Sequence, residues 1–439
     1  MINQNLFIFE FVSGGGYNRR DIPSSLFCEG YAMLRTIVED FKKLGFKITT
    51  LLDRRISHLS RYLISDIVKF VNPKEDFLKK YIDCVSKSTY CFIIAPEFSN
   101  HLYNLTQIVK EYKKKILSID LNGVWLGTSK LETYKYFTTN KLNTPKSYLI
   151  PFKEGLIDVD FIFQKFDQLG SSIIIKPEDG AGSELIFHFE TKDQILQFFK
   201  RSEEKLDMVR NYIVQEYIEG DDLSISLINR TNLKKTGAQD QIILSINTQD
   251  VQNLTPNKES LYLGGFTPVE NYGVLRDRFE KILKSMNLTK FQGYFGIDFI
   301  KKADNSIYFI EINPRLTTSY IGIRNILDYN PLELLLNQYK SKLEIPKSRP
   351  DKFSHFTRLE LKYFGNKLFE NIINDIIPKL IKLVPEIVTP PIALQSSKIN
   401  KELIYSCFIS TKAKDMKSSK KRISQILTIF NKFSFEVIK

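Results

Sequence analysis

The chain opens with short apolar runs separated by longer amphipathic stretches. Leu6-Phe-Ile-Phe-Glu-Phe-Val12 is nearly all apolar and of strand length, and Ser13-Gly-Gly-Gly16 follows it. From about Ser25 to Leu44 the apolar positions recur with helical spacing. Phe46 to Leu52 and Tyr90-Cys-Phe-Ile-Ile-Ala95 read as further strands, Asn104 to Lys114 as a helix, and Ile116 to Ile119 as one more strand. Strands alternating with helices predict an open, mostly parallel sheet in a Rossmann-like α/β unit. The Gly14–Gly16 loop follows the first strand, where such sheets take ligands. It is not G-x-G-x-x-G, and a tight turn accounts for it equally well.

Further along, Ser171-Ser-Ile-Ile-Ile-Lys-Pro-Glu-Asp-Gly-Ala-Gly-Ser183 reads as a buried strand ending in a lysine and then a glycine-rich loop. Lys176 offers a point charge to phosphate oxygens, and Gly180 and Gly182 let backbone N–H groups approach a polyanion. Tyr212 to Leu227 reads as a strand, a break at Gly220 and a second strand. An extended backbone at Gln215 to Ile218 suits the edge of a base, and an acid just beyond suits ribose hydroxyls. Near the end of the chain, Phe356 to Tyr363 and Leu403 to Ser410 read as strands, and Leu368 to Val384 and Ser418 to Phe433 as helices, with Pro390-Pro391 breaking the middle.

The densest chemistry lies between Gly293 and Arg315. Tyr294-Phe-Gly-Ile-Asp-Phe-Ile300 and Tyr308-Phe-Ile-Glu-Ile-Asn313 both alternate, and the polar Lys301 to Ser306 joins them. With Asp304-Asn305 as a two-residue turn, Ile297 falls opposite Ile312 and Phe299 opposite Ile310, which makes one apolar face. On the other face Asp298 falls opposite Glu311 and Gly296 opposite Asn313. Opposed carboxylates repel each other unless a cation sits between them or one is protonated. Asp, Glu and Asn together supply the hard oxygen ligands that magnesium takes beside phosphate. Gly296 is expected to leave room for a ligand.

Composition narrows the class. The chain has 439 residues, 43% hydrophobic and 26% charged, which suits a globular protein of roughly three domains. No apolar run approaches the ~20 residues of a membrane span. The four cysteines form no C-x-x-C pair, so neither a zinc site nor a disulfide framework is expected, and a cytoplasmic setting is. Net charge is +13, and Ser341 to Lys439 holds 19 Lys/Arg against 9 Asp/Glu, a net of +10. No aromatic interleaving accompanies these lysines, so a solvated basic surface is expected rather than a nucleic-acid interface.

In order, these pieces resemble the ATP-grasp superfamily. Lys130, in Thr128-Ser-Lys-Leu-Glu-Thr-Tyr-Lys135, is similar to the family's first lysine, with Ser129 where Asp is commoner. Asn143-Thr-Pro145 resembles the G-x-P segment without its glycine, and Lys176 the second phosphate lysine. Asp179, Gly180, Gly182 and Ser183 resemble the loop that closes over the β- and γ-phosphates. Gln215, Glu216 and Ile218 resemble the adenine hinge, and Asp222 the ribose acid. Asp298, Glu311 and Asn313 resemble the Mg²⁺ ligands (Mn²⁺ being an alternative), and Arg315 the arginine on the transferred phosphoryl or acyl phosphate. The resemblance implies α/β (α+β) domains: a pre-ATP-grasp domain at 1–125, an ATP-grasp domain at 126–340 with a lid at about 140–216, and a small basic α+β domain at 341–439.

It also implies an ATP-dependent carboxylate–amine ligase acting through an acyl phosphate, with Lys176 and Arg315 at the reacting groups. A small-molecule kinase and a nucleotide sensor with a nucleic-acid-binding tail are the alternatives. Small acid and amine substrates are the expected partners, with no membrane and with a homodimer left open. Phe9-Glu-Phe-Val-Ser-Gly-Gly-Gly16, Ile94-Ala-Pro-Glu97 and Tyr262-Leu-Gly-Gly265 are similar to the archaeal tyramine–glutamate ligases of methanofuran biosynthesis. A third domain is a departure from a minimal enzyme of that kind.

Overall fold

The first apolar run forms β1 (Asn5–Glu10), and the later ones form β2 (Lys47–Asp53), β3 (Ile67–Val71), β4 (Tyr90–Ile94) and β5 (Lys115–Ile116). They make one parallel sheet in the order β3-β2-β1-β4-β5. Helices α1 (Ser24–Lys43), α2 (Phe77–Ser86) and α3 (His101–Glu111) alternate with the strands. The computed structural model describes residues 4–170, 172–180, 184–201, 206–207, 209–231, 239–252, 255, 260–340, 350–399 and 402–438.

The first strand stops two residues before the expected Val12, and Glu10 explains why. Its buried carboxylate accepts from Val12 N at 3.0 Å, Ser13 N at 2.7 Å and Ser13 Oγ at 2.6 Å, which turns the chain into a helical loop over Val12–Gly16. A Cβ on Gly14 would lie 2.5 Å from the Phe9 ring, and one on Gly16 2.5 Å from the Phe11 ring. Packing uses up these glycines, so the loop is the tight turn and not an open cradle. The last strand of this sheet is also shorter than the expected Ile116 to Ile119.

Two helices, α4 (Leu121–Thr128) and α5 (Lys130–Thr139), lead into the middle of the chain. There β6 (Ser147–Leu149), a small hairpin of β7 (Phe152–Lys153) and β8 (Leu156–Ile157), α6 (Val159–Leu169), β9 (Ile173–Pro177), β10 (Phe187–Phe189), α7 (Lys192–Arg201) and β11 (Tyr212–Glu216) follow in turn. A sheet in the order β10-β9-β11-β6 buries Ile175, Phe187 and Val214 against Ile162 and Phe198 in a core of its own.

The next sheet runs β13-β12-β16-β17, from β12 (Asp221–Thr231), β13 (Gln239–Thr248), β16 (Gly293–Lys301) and β17 (Ile307–Asn313), with α8 (Tyr272–Ser285) against β13. The break at Gly220 is therefore a crossing between two sheets and not a hairpin turn.

The last sheet joins distant parts of the sequence. β14 (Asp250–Gln252) and β15 (Leu261–Thr267) come before α9 (Tyr320–Ile326) and α10 (Glu333–Lys340). Then come β18 (Ser354–Tyr363), α11 (Phe369–Asn371), α12 (Ile377–Leu383), β19 (Ile387–Ile399), β20 (Glu402–Ser410), α13 (Met416–Lys432) and β21 (Phe435–Val437). Their order is β14-β15-β18-β20-β19, with β21 also on β18.

The expected helix from Leu368 to Val384 is interrupted by a π-turn over Ile372–Ile376. Pro390-Pro391 does not break the chain; it lies inside β19, whose pairing slips between Thr389 and Ile392. An edge strand tolerates proline because one side of its ladder has no partner. One face of this sheet, with Leu359, Leu361 and Ile409, packs on Leu380, Ile426 and Phe430. The other face sends Phe356, Ile392 and Phe408 into the main core with α1.

Candidate active site

The hairpin of β16 and β17 pairs Gly296 with Asn313, Ile297 with Ile312 and Asp298 with Glu311, as expected. Beyond that point the register departs from expectation. Lys302 N–H donates to Ser306 O at 3.0 Å, Asn305 N–H donates to Lys302 O at 2.9 Å, and Asn305 takes φ 65°. Ala303 thus joins Asp304 and Asn305 in a three-residue turn whose last position is left-handed. A bulge between Asp298 and Phe299 absorbs the extra residue, and Phe299 pairs with Phe309, not Ile310. Phe299 and Phe309 are each 1% exposed in the core. Ile310 is left on the same side as Glu311, and both line one cavity. The space over Gly296 is also filled, since a Cβ there would meet the Thr317 methyl at 2.7 Å.

Two buried lysines face the opposed acids. Ser129 caps α5, accepting from Glu132 N–H at 3.0 Å, and its hydroxyl bonds the Glu178 carboxylate. Lys130 N–H donates to Glu178 O at 3.0 Å, which ties the start of α5 to the exit of β9. The Lys130 ammonium lies 3.5 Å from Glu311 Oε2 and donates to Gly180 O at 3.2 Å. Lys176, 3% exposed at the end of β9, completes the group. Burial pulls its pKa down to about 8, against the opposing pull of Glu311.

The two carboxylates respond in opposite directions. Burial, then repulsion from Glu311, raises Asp298. Glu311 is lowered, because Lys130 and Lys176 outweigh its own burial. Asn313 Nδ2 donates to Asp298 Oδ2 at 2.9 Å, which leaves the amide oxygen free to ligate. A desolvated carboxylate pair with an amide oxygen fits a hard divalent cation that shares phosphate and water ligands. Crowded acids of this kind hold less repulsion once a cation lies between them.

Arg315 is anchored from the first sheet. Its Nε–H donates to both Glu97 oxygens, at 2.9 and 3.1 Å, and Glu97 is 2% exposed just beyond β4. Burial raises the Glu97 carboxyl, and the Arg315 charge opposes that rise.

A cavity of about 150 Å³ runs from Lys176, Asp298 and Glu311 past Gln215, Glu216 and Ile218 to Asp222. Gln215 donates to Ser147 Oγ at 2.8 Å, so its side chain is already engaged. Burial raises Asp222 to about 6, with Asp221 adding to the rise. A second cavity, of about 70 Å³, lies on the other side of the acids, and Gln249, Asp298 and Glu311 line both.

Asp179 is not brought into this group. It pairs with Arg210 at 3.1 Å, accepts from Ser99 N–H at 3.0 Å and lines a separate cavity of about 460 Å³. Gly180 is placed beside Lys130, and Gly182 and Ser183 lie outside the described residues. Sequence reading assigned no role to Glu97, Gln249 or Arg210. Glu97 was visible only inside Ile94-Ala-Pro-Glu97, a buried acid straight after an apolar strand.

Comparison with known proteins adds a family to this geometry. Residues 128–319 match an ATP-grasp domain model, and residues 46–122 match a pre-ATP-grasp domain model. An ATP-grasp domain thus occupies residues 128–319, preceded by a pre-ATP-grasp domain. It is 25% identical over 361 residues to a tyramine–L-glutamate ligase from Methanocaldococcus jannaschii, covering 81% of this chain and 95% of that protein.

Among solved structures it is similar to the biotin carboxylase domain of the Hydrogenobacter thermophilus 2-oxoglutarate carboxylase. The TM-score is 0.69 at 13% identity, over 100% of this chain and 91% of that one. An L-amino acid ligase from Bacillus licheniformis gives a TM-score of 0.62 at 13% identity, over 99% and 98%. These two likenesses extend the shared fold through the C-terminal sheet, so the third unit is not peculiar to this chain. No helix among the described residues is long and apolar enough to cross a membrane.

Proposed function

We propose that this protein is an ATP- and Mg²⁺-dependent carboxylate–amine ligase that forms ADP, and that it joins L-glutamate to tyramine or a similar amine through an acyl phosphate. One observation carries the reading: Lys130 and Lys176 meet the opposed Asp298 and Glu311 at the shared wall of two cavities. The cavity with Gln215, Ile218 and Asp222 suits a base and its ribose, and the other suits an acid presented to the terminal phosphate. The likeness to tyramine–L-glutamate ligase supports the substrate pair.

Asp298, Glu311 and Asn313 would hold the magnesium, which when bound neutralises charge on the phosphates. Lys130 and Lys176 hold the phosphate oxygens in line for attack. The substrate carboxylate attacks the γ-phosphorus, ADP departs, and the amine then attacks the acyl carbon and expels phosphate. Arg315, fixed by Glu97, stabilises the oxyanion of that second step.

The test is ADP release from Mg²⁺-ATP with L-glutamate and tyramine. Added hydroxylamine should yield a hydroxamate, and Glu311→Ala should cut turnover by on the order of a hundredfold. Silence with every acid and amine offered would end the ligase reading, and a stable phosphorylated product would replace it with a kinase.

A further inference from the structure

Three glutamates of the first domain lie within electrostatic reach of Arg315, and two of them are already committed. Glu10 is bonded by Val12 and Ser13, and Glu97 by Arg315. Glu29 differs. On α1, it accepts one bond, from Thr318 Oγ1 to Oε2 at 3.1 Å, and no ion pair reaches it among the described residues. It lines the second cavity beside Tyr262, Ser224 and the Thr317–Ser319 hydroxyls. Within electrostatic reach of it is Arg358, 2% exposed on β18, whose Nη2 lies 3.8 Å from Glu360 Oε1 and whose Nε has no hydrogen-bond partner among the described residues. Burial raises the Glu29 carboxyl, and the Arg358 charge is the main force opposing that rise.

The position of the cavity decides what it holds. An acid substrate must put its reacting carboxylate beside Asp298, Glu311 and Arg315. The rest of that molecule then has to lie in the cavity away from the base, the one Glu29 lines. A half-buried carboxylate beside several hydroxyl oxygens is a receptor for a cation with several N–H donors. Resting on the ligase reading above, we propose that the acid substrate is an amino acid with a free α-ammonium group, and that Glu29 binds that group while a side-chain carboxylate is activated at the metal acids. Arg358 opposes the rise that burial imposes on the Glu29 carboxyl and does not touch the substrate.

The experiment compares ADP release with L-glutamate and with glutarate, which lacks only the ammonium, in the whole protein with tyramine as acceptor. The wild-type protein should prefer L-glutamate by at least about tenfold in kcat/KM. Glu29→Gln should raise KM for L-glutamate about tenfold, leave KM for ATP within about twofold and reduce the preference over glutarate to near one. An unchanged preference in Glu29→Gln overturns the subsite. Equal use of the two acids by the wild-type protein overturns it as well, needs no variant that must fold, and leaves the ligase reading standing. No ADP release with any acid overturns both.

Discussion

At the scale of single residues, Lys176 sets the most direct expectation. Its pKa is pulled from 10.5 to about 8 by burial. Below pH 8 the ammonium is charged and meets phosphate. Above it the charge is lost, and affinity for ATP should fall by up to tenfold per pH unit. Stability of the free protein moves the other way. The unfolded chain holds this proton more tightly, so folding gains between about pH 8 and 10.5. Lys176→Arg, charged throughout that range, should abolish the alkaline rise in KM for ATP; a rise that survives it must come from another group. Lys176, Asp298 and Glu311 were legible because each interrupts or ends an apolar run, which a sequence tolerates only for a reason, whereas Lys130 stands in a polar stretch and is placed by resemblance alone. Glu29, Glu97 and Gln249 were not, since their meaning comes from neighbours more than 45 positions away.

At the scale of elements, the hairpin shows where pattern reading stops. Alternation placed Asp298 opposite Glu311 and Gly296 opposite Asn313. It could not see the bulge, because Ile310 is as apolar as the core residues that flank it. A two-residue turn and a three-residue turn differ by one position, and the bulge returns that position before the acids are reached. The bulge thus gives the hairpin one apolar side chain beside its acids, at the wall of the base cavity. Deleting Ile310 should leave Phe309 and Ile312 in the core and Glu311 toward the metal. The expected outcome is a protein that still unfolds cooperatively and still needs Mg²⁺. Its KM for ATP should rise about tenfold, on the order of the 1–2 kcal/mol that an apolar contact of this size supplies. Loss of cooperative unfolding would show that the bulge serves the sheet and not the nucleotide.

At the scale of the whole molecule, the boundary expected at residue 341 separates a sequence that the structure joins. The C-terminal strands extend a sheet begun by β14 and β15, and their inner face closes the core over α1. Thr389 Oγ1 donates to Cys28 O at 2.7 Å, and Arg35 donates to Val388 O at 2.9 Å, so side-chain bonds to backbone carbonyls cross the same junction. Sequence reading missed this because strands far apart in number leave no trace of their pairing in local periodicity. A chain ending at Lys340 would leave β15 without β18 and would expose the α1 face that Phe356, Ile392 and Phe408 cover. It should aggregate, or show no cooperative transition in urea, and should not release ADP. Phe356→Ala tests the same point without truncation. That ring is 0% exposed and packs where a Cβ on Gly322 would fall, 2.5 Å away. Its removal should cost about 3–5 kcal/mol in urea unfolding of the full chain. A truncated protein that folds and turns over ATP normally, with a Phe356→Ala cost below about 1 kcal/mol, would show that the tail is an attachment and that the site stands without it.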